Sequence, residues 1–264
     1  MKKRIIAFII IALMCIYPIF NIVGLSKNEK EKANDDVSKG NEIIESLSDF
    51  DVKKAEKNVR DAQKKRNDPS ANANKIKTIL SQLKSGKTTY RKVFRNVYIV
   101  GDSLMNGLEA YDILNSNHLI TQVSASLYHL DDNVSKIVKM NPPILILHYG
   151  INMIATGDTF RGNFIKMYTR IIKELKKSLP DTRIIISGIF PVDRSVATAK
   201  RFGEVANYNK ALKTMCKDLG VEFLDSSSVL KAHPECYGGD GIHLSKAFYS
   251  EYWLKFLIKE LEIV

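Results

Sequence analysis

The sequence has 264 residues, 45% of them hydrophobic, and a formal net charge of +11 at pH 7. The charge is uneven: residues 1–25 contribute +3, residues 26–95 carry 18 Lys and Arg against 11 Asp and Glu, and residues 96–264 carry 19 against 18. Because residues 96–264 are nearly neutral, they lack the basic face of nucleic-acid-binding domains, and nucleic acid is not expected as a partner.

The N-terminus has the pattern of a membrane anchor. Lys2, Lys3 and Arg4 precede an uncharged, largely apolar run over residues 5–25, which at about 1.5 Å per residue is long enough to cross a bilayer core. The positive flank predicts a single-pass signal anchor with everything after Leu25 outside the cytoplasm. A cleaved signal peptide is the alternative, although no clear small-x-small site ends the run.

Residues 26–95 are predicted to form a basic, partly helical stalk. The segment 26–40 is polar and charged, and short apolar stripes at helical spacing then predict a helical hairpin or arm over residues 51–84. We interpret the arm as a spacer that lifts the next domain off the membrane. The alternative is that the arm binds an envelope protein partner. The basic charge of residues 26–95 would also suit contact with anionic lipid or wall polymer.

From residue 96 onward, apolar strand patterns alternate with helical ones. Buried strands are predicted at 97–100, 120–123, 143–149, 183–189 and 221–224. Helices are predicted at about 131–140, 159–178, 204–219 and 245–261. This alternation predicts a three-layer α/β/α domain over residues 96–264, with a parallel sheet of about five strands.

Three polar segments fall where strands or loops reach the mouth of that sheet. They are Gly101-Asp102-Ser103-Leu104, Gly150-Ile151-Asn152 and Asp240-Gly241-Ile242-His243. In the last segment the carboxylate of Asp240 can hold the Nδ1–H of His243, leaving Nε2 to take a proton from a serine. The side-chain amide of Asn152 can donate a hydrogen bond to an oxyanion.

The order and spacing of these segments resemble the SGNH/GDSL hydrolase superfamily of serine esterases and acyltransferases, over roughly residues 96–264. The resemblance implies that Ser103 is the nucleophile, His243 the general base and Asp240 its orienting partner. It also implies oxyanion donors from the Ser103 backbone, from a second-block backbone N–H and from the block of Gly150 and Asn152.

The chain departs from the family pattern at two points. The second block usually has a glycine after the second strand, whereas residues 123–127 contain none, so the donor could be the N–H of Ser124 or of Ser126. The family also usually has an aspartate after the block-three asparagine, where this chain has Met153. The asparagine amide is retained, so we expect the local turn to change more than the chemistry.

The remaining reactive side chains are expected to be structural. Cys216 lies on the apolar side of a predicted helix and is interpreted as a buried thiol, although a disulfide with Cys236 is possible outside the cell. No paired-cysteine zinc spacing occurs, and neither a metal nor a cofactor is predicted. His148 is expected inside a strand, whereas His118, His129 and His233 are interpreted as surface residues. Arg194 and Arg201 are interpreted as solvated surface charges, with binding of an anionic substrate group as the alternative.

The sequence therefore predicts a membrane-anchored, extracytoplasmic serine esterase that acts on O-acyl groups, typically O-acetyl, of envelope glycans. Transfer of an acyl group to such a glycan is the first alternative. A non-catalytic envelope scaffold with the same fold is the second, and the absent second-block glycine favours it slightly.

Overall fold

The computed structural model describes residues 69–155, 161–197 and 202–263. Pro69–Val264 form one compact unit. The predicted anchor and the first part of the predicted stalk, residues 1–68, lie outside the described residues. Within the described ranges, no helix combines the length and the apolar character needed to cross a membrane.

A five-stranded parallel sheet forms the centre of the unit. Its strands are β1 (Val97–Gly101), β2 (Leu119–Thr121), β3 (Ile144–His148), β4 (Arg183–Ser187) and β5 (Glu222–Leu224). Their spatial order is β2-β1-β3-β4-β5, and every pairing is parallel. The predicted α/β architecture with a parallel five-stranded sheet is confirmed.

Two of the described helices precede β1, and the others lie between the strands or after β5. They are α1 (Pro69–Lys84), α2 (Tyr90–Val93), α3 (Ser103–Ala110), α4 (Leu127–Met140), α5 (Ile151–Ala155), α6 (Arg161–Ser178), α7 (Arg194–Ala197), α8 (Val205–Leu219), α9 (Ser227–Ala232) and α10 (Leu254–Glu260). A π-helical segment, Phe248–Trp253, leads directly into α10. The single helix predicted at 245–261 is therefore two segments with different hydrogen-bond patterns.

The core is built from the apolar runs that predicted the strands. Ile99, Ile146 and Ile185 are paired across β1, β3 and β4, and all three are fully buried. Both faces of the central strands are covered by helices, which is why these strands are continuous apolar runs rather than alternating ones. Burying each such side chain contributes roughly 1.5–3 kcal/mol to folding.

Helix α1 corresponds in sequence to the second half of the predicted helical arm. Its apolar side chains pack against the core, and Asn72 Nδ2 donates to Glu262 Oε2 at 2.7 Å. These residues therefore belong to the same compact unit as the sheet. The rest of the predicted arm lies outside the described residues.

The two described cysteines are free thiols and both are buried. Cys216 lies in α8, where burial raises the pKa of its thiol to about 12. It is a buried structural thiol, as one interpretation of the sequence predicted, and it is not in a disulfide with Cys236.

Candidate active site

The candidate site lies at the carboxyl ends of β1 and β3. Strand order runs outward in opposite directions from this pair, and ligands of open α/β sheets bind at such a switch point. Ser103 begins the helix that follows β1, and Asn152 lies in the short helix that follows β3. The fold thus brings two of the three sequence motifs to adjacent strand ends.

The turn after β1 requires its glycine and its aspartate. A Cβ on Gly101 would lie 2.5 Å from Met105 Cγ and 2.8 Å from the His148 carbonyl oxygen, so only glycine fits between them. Asp102 caps α3, because its Oδ1 accepts the Leu104 N–H at 3.0 Å. Ser103 is consequently held as the first residue of α3 with its side chain partly exposed.

The His243 loop is fixed by its own hydrogen bonds. Asp240 Oδ1 accepts the N–H groups of Ile242 and His243, both at 2.9 Å. The Gly238 N–H donates to the His243 carbonyl at 2.7 Å. The loop is also attached to the segment after β4, because the Asp193 N–H donates to the Gly241 carbonyl at 2.8 Å. The loop that carries the imidazole is therefore held by hydrogen bonds both within itself and to the segment after β4.

The structure brings the three predicted catalytic residues into one line. His243 Nε2 lies 3.1 Å from Ser103 Oγ, and His243 Nδ1 lies 2.5 Å from Asp240 Oδ2. Both distances are within hydrogen-bond range. This is the arrangement in which a carboxylate orients an imidazole and the imidazole accepts the proton of a serine.

Asp240 has the charge that this role needs. Partial desolvation would raise the pKa of its carboxyl, but the hydrogen bonds from His243 and from the two N–H groups lower the pKa to about 2. The carboxylate is therefore ionised at neutral pH. An ionised carboxylate in this position can stabilise an imidazolium on His243.

Asp102 has the opposite environment. Its side chain is 0% exposed, and Oδ2 is buried with no hydrogen-bond partner among the described residues. Burial raises the pKa of this carboxyl to about 7, although the Leu104 N–H lowers it. Asp102 shapes the turn, as predicted, and its carboxyl does not contact the imidazole directly in the described hydrogen bonds.

Of the two N–H groups predicted as second-block oxyanion donors, the structure leaves only one unoccupied. The Ser126 N–H donates to His129 Nδ1 at 3.1 Å and is therefore occupied. In the described residues, the N–H groups of Ser124 and Ser103 have no protein acceptor. Ser124 also has a positive φ of 59°, the conformation that glycine adopts most easily. Ser124 thus takes the left-handed backbone conformation at which a glycine would be expected.

Asn152 is positioned against the same loop. Its Nδ2 donates to the Ala125 carbonyl at 2.8 Å, and since an amide nitrogen has two hydrogens, one remains for an oxyanion. Gly150 is buried at φ 145°, and a Cβ there would lie 2.3 Å from Ile189 Cδ1. Its visible role is this close packing beneath the Asn152 turn.

The other histidines have structural partners that the sequence did not reveal. His148 is buried as predicted; its Nδ1 lies 3.1 Å from Ser187 Oγ, and burial lowers its pKa to about 3. His129 caps α4, which is why that helix begins at residue 127 and not at the predicted 131. His118 packs on Tyr98, and His233 stacks on Tyr252.

Further points concern Tyr249, the two arginines considered from the sequence, and metal binding. Tyr249 donates from its hydroxyl to the Leu104 carbonyl at 2.5 Å, a buried contact that holds the start of α3 and has no sequence motif to announce it. Arg194 is exposed in α7, and Arg201 lies outside the described residues. The described residues contain no cluster of three side chains suited to a metal ion.

Comparison with known proteins identifies related sequences and folds. Residues 99–250 match the sequence model of the GDSL-like Lipase/Acylhydrolase family. No curated protein was found to be similar to the chain.

Solved structures are similar to this chain at low sequence identity. A Bacteroides fragilis protein proposed to be an acylhydrolase is 18% identical, with a TM-score of 0.50 over 63% of this chain and 85% of that one. A catalytic mutant of a Geobacillus stearothermophilus acetylxylan esterase is 15% identical, with a TM-score of 0.46 over 63% and 93% of the two chains. A peptidoglycan O-acetylesterase is 15% identical, with a TM-score of 0.48 over 55% and 45%.

Proposed function

The chain belongs to the GDSL-like lipase/acylhydrolase family and is an ester hydrolase, and from that premise we propose that it removes O-acyl groups, typically O-acetyl, from glycans of the cell envelope. Ser103 attacks the ester carbonyl while His243 takes its proton, and the ester C–O bond then breaks so that the sugar hydroxyl leaves with that proton while the acyl group stays on Ser103. The N–H groups of Ser103 and Ser124 and the Asn152 amide stabilise the oxyanion. Water, activated by His243, then releases the acyl group from Ser103.

The observation that carries the proposal is the hydrogen-bonded series Ser103–His243–Asp240 at an open surface. The side chains of His243 and Asp240 are 53% and 49% exposed. An open site admits an ester on a bulky polymer, whereas a long free acyl chain needs an enclosed apolar channel. The same three-residue line disfavours the non-catalytic scaffold.

The location of the enzyme is a second part of the proposal. The basic flank and the apolar run at residues 5–25 support a single-pass anchor with the hydrolase domain outside the membrane. Such an anchor keeps Ser103 close to envelope polymers and raises their effective concentration. Protease added to intact cells or wall-stripped protoplasts is expected to digest the domain, and digestion only after lysis would contradict this location.

Acetate release from O-acetylated envelope glycan tests the activity. Purified wild-type protein is expected to release acetate, and Ser103→Ala protein is not. Loss of the domain in cells is then expected to raise envelope O-acetylation, whereas loss of a transferase would lower it. Unchanged acetylation, with purified protein inactive on acetylated glycan, would rule out both reactions.

A further inference from the structure

The most exposed large hydrophobic residues lie on segments that adjoin residues of the candidate site. In the described residues these are Tyr111, Val123 and Tyr128, with 37%, 65% and 65% of their surface exposed. Tyr111 donates from its hydroxyl to the carbonyl of Leu244, the residue after His243, at 3.2 Å. Single exposed hydrophobics are ordinary on proteins, but exposed hydrophobics on the segments that adjoin a candidate catalytic site indicate a binding surface.

Val123 and Tyr128 flank the oxyanion donor Ser124 on an ordered loop. The loop begins beside the nucleophile turn, because the Gln122 N–H donates to the Gly101 carbonyl at 3.2 Å. It is held in the middle by Asn152 through Ala125. Tyr128 is the second residue of α4, whose start is capped by Ser126 and His129. The Tyr128 backbone is thus fixed before any substrate arrives.

The Tyr128 ring itself is uncovered. It makes no hydrogen bond and no contact with another aromatic ring among the described residues. Gln122 and Ser124, on the same loop, are exposed, and their side chains have no hydrogen-bond partner there either. The surface therefore combines an aromatic face, a branched aliphatic side chain and unpaired amide and hydroxyl groups.

This mixture is suited to a sugar ring rather than to an acyl chain. A pyranose presents C–H groups on its faces and hydroxyls on its edge, which match an aromatic face and nearby polar side chains. A long acyl chain would need continuous apolar lining, and here polar Ser124 lies between Val123 and Tyr128.

We propose that Val123 and Tyr128 form a sugar-contacting rim, on which the pyranose ring that bears the ester packs while its carbonyl lies against Ser103. This inference rests on the proposed glycan deacylase function and adds the residues that select the sugar. Tyr128 supplies the stacking face, and Val123 packs against the ring edge on the other side of the oxyanion donor.

Tyr128→Ser and Val123→Ser test the rim by separating sugar binding from chemistry. The probes are chemically O-acetylated chito-oligosaccharide and p-nitrophenyl acetate, which has no sugar. We expect each variant to raise KM for the oligosaccharide about fivefold to tenfold, as loss of one aromatic or apolar contact predicts. Activity on p-nitrophenyl acetate is expected to be unchanged. Tyr128→Phe, which keeps the ring, is the matched control and is expected to keep the wild-type KM.

The outcomes separate the rim from the proposed function. If wild-type protein deacetylates the oligosaccharide and Tyr128→Ser does so with the same KM, the rim is wrong and the function stands. If wild-type protein hydrolyses p-nitrophenyl acetate but no acetylated oligosaccharide, the glycan function fails and the rim falls with it. If the variants instead lose activity on p-nitrophenyl octanoate, the surface binds acyl chains and the sugar assignment is overturned. Unchanged unfolding midpoints would show that the variants remain folded.

Discussion

At the residue scale, the two aspartates of the site show how environment decides role. Asp240 is about half exposed and accepts three hydrogen bonds, and its pKa falls to about 2. Asp102 is fully buried, and this burial raises its pKa to about 7 in spite of the hydrogen bond from the Leu104 N–H. Hydrogen bonds to a carboxylate favour its ionised form, and burial disfavours it. Asp240 is thus the carboxylate that is ionised at neutral pH and that contacts the imidazole directly.

Substitution of the aligned residues is the direct test of their roles. Ser103→Ala and His243→Ala are each expected to remove most hydrolysis of p-nitrophenyl acetate, and the double variant is expected to be little worse, because such residues act as a unit. Asn152→Ala is expected to lower kcat about 10²-fold if its amide completes the oxyanion hole. Ser250→Ala, which removes a serine hydroxyl outside the site, is the control variant and is expected to keep its activity. Full activity in Ser103→Ala would refute the assignment.

The lowered pKa of His148 makes the stability of the folded protein depend on pH. Burial lowers its folded pKa from 6.5 to about 3, so below pH 6.5 the unfolded chain takes up a proton that the folded protein does not. Stability is therefore lost as pH falls through 6.5. Between pH 7 and pH 5 the loss from this one group is about 2 kcal/mol.

His148→Asn, which can still bond to Ser187, is expected to be free of that loss. The measurement is the difference in unfolding free energy between wild type and variant, by urea titration at pH 7 and pH 5. Taking the difference cancels the opposite trend of Asp102, whose raised pKa favours the folded state as pH falls from 7 towards 4. Parallel changes in both proteins would contradict a buried neutral His148.

At the element scale, the strands could be predicted because burial on both faces leaves a continuous apolar run. The motif residues could be placed because strand ends of a parallel sheet share one edge. The start of α4 could not be predicted, because the side chain of His129 caps the helix and is not part of its apolar pattern. The left-handed backbone at Ser124 could not be predicted either, because a positive φ at a serine leaves no mark in the sequence.

The backbone at Ser124 gives a test at this scale. Because φ is 59°, Ser124→Gly is expected to stabilise the protein by up to about 1 kcal/mol. It is expected to keep its esterase activity, since the N–H is retained. Ser124→Val is expected to lose both stability and activity, because a β-branched residue resists this conformation. Thermal unfolding and p-nitrophenyl acetate kinetics on the two variants provide the readout, and an equally active Ser124→Val would exclude this loop geometry.

At the scale of the whole molecule, segments before the first strand complete the core. Phe94 is 1% exposed, and Tyr90 donates from its hydroxyl to the Ser250 carbonyl. Asn72 of α1 bonds to Glu262 near the C-terminus of the compact unit. The predicted division at residue 96 therefore separates residues that stabilise one another across a long stretch of sequence.

Two truncated chains test where the autonomous domain begins. A chain of residues 69–264 is expected to unfold cooperatively and to keep esterase activity on p-nitrophenyl acetate. A chain of residues 96–264 lacks α1, α2 and Phe94, and loss of one buried phenylalanine side chain alone costs about 3–5 kcal/mol. It is expected to unfold at a much lower temperature or to remain unfolded, although it contains every predicted catalytic residue. Phe94→Ala in the chain of residues 69–264 measures how much of the lost stability is due to the Phe94 side chain. Equal unfolding temperatures for the two truncated chains would instead place the boundary at residue 96, with the preceding helices as part of the stalk.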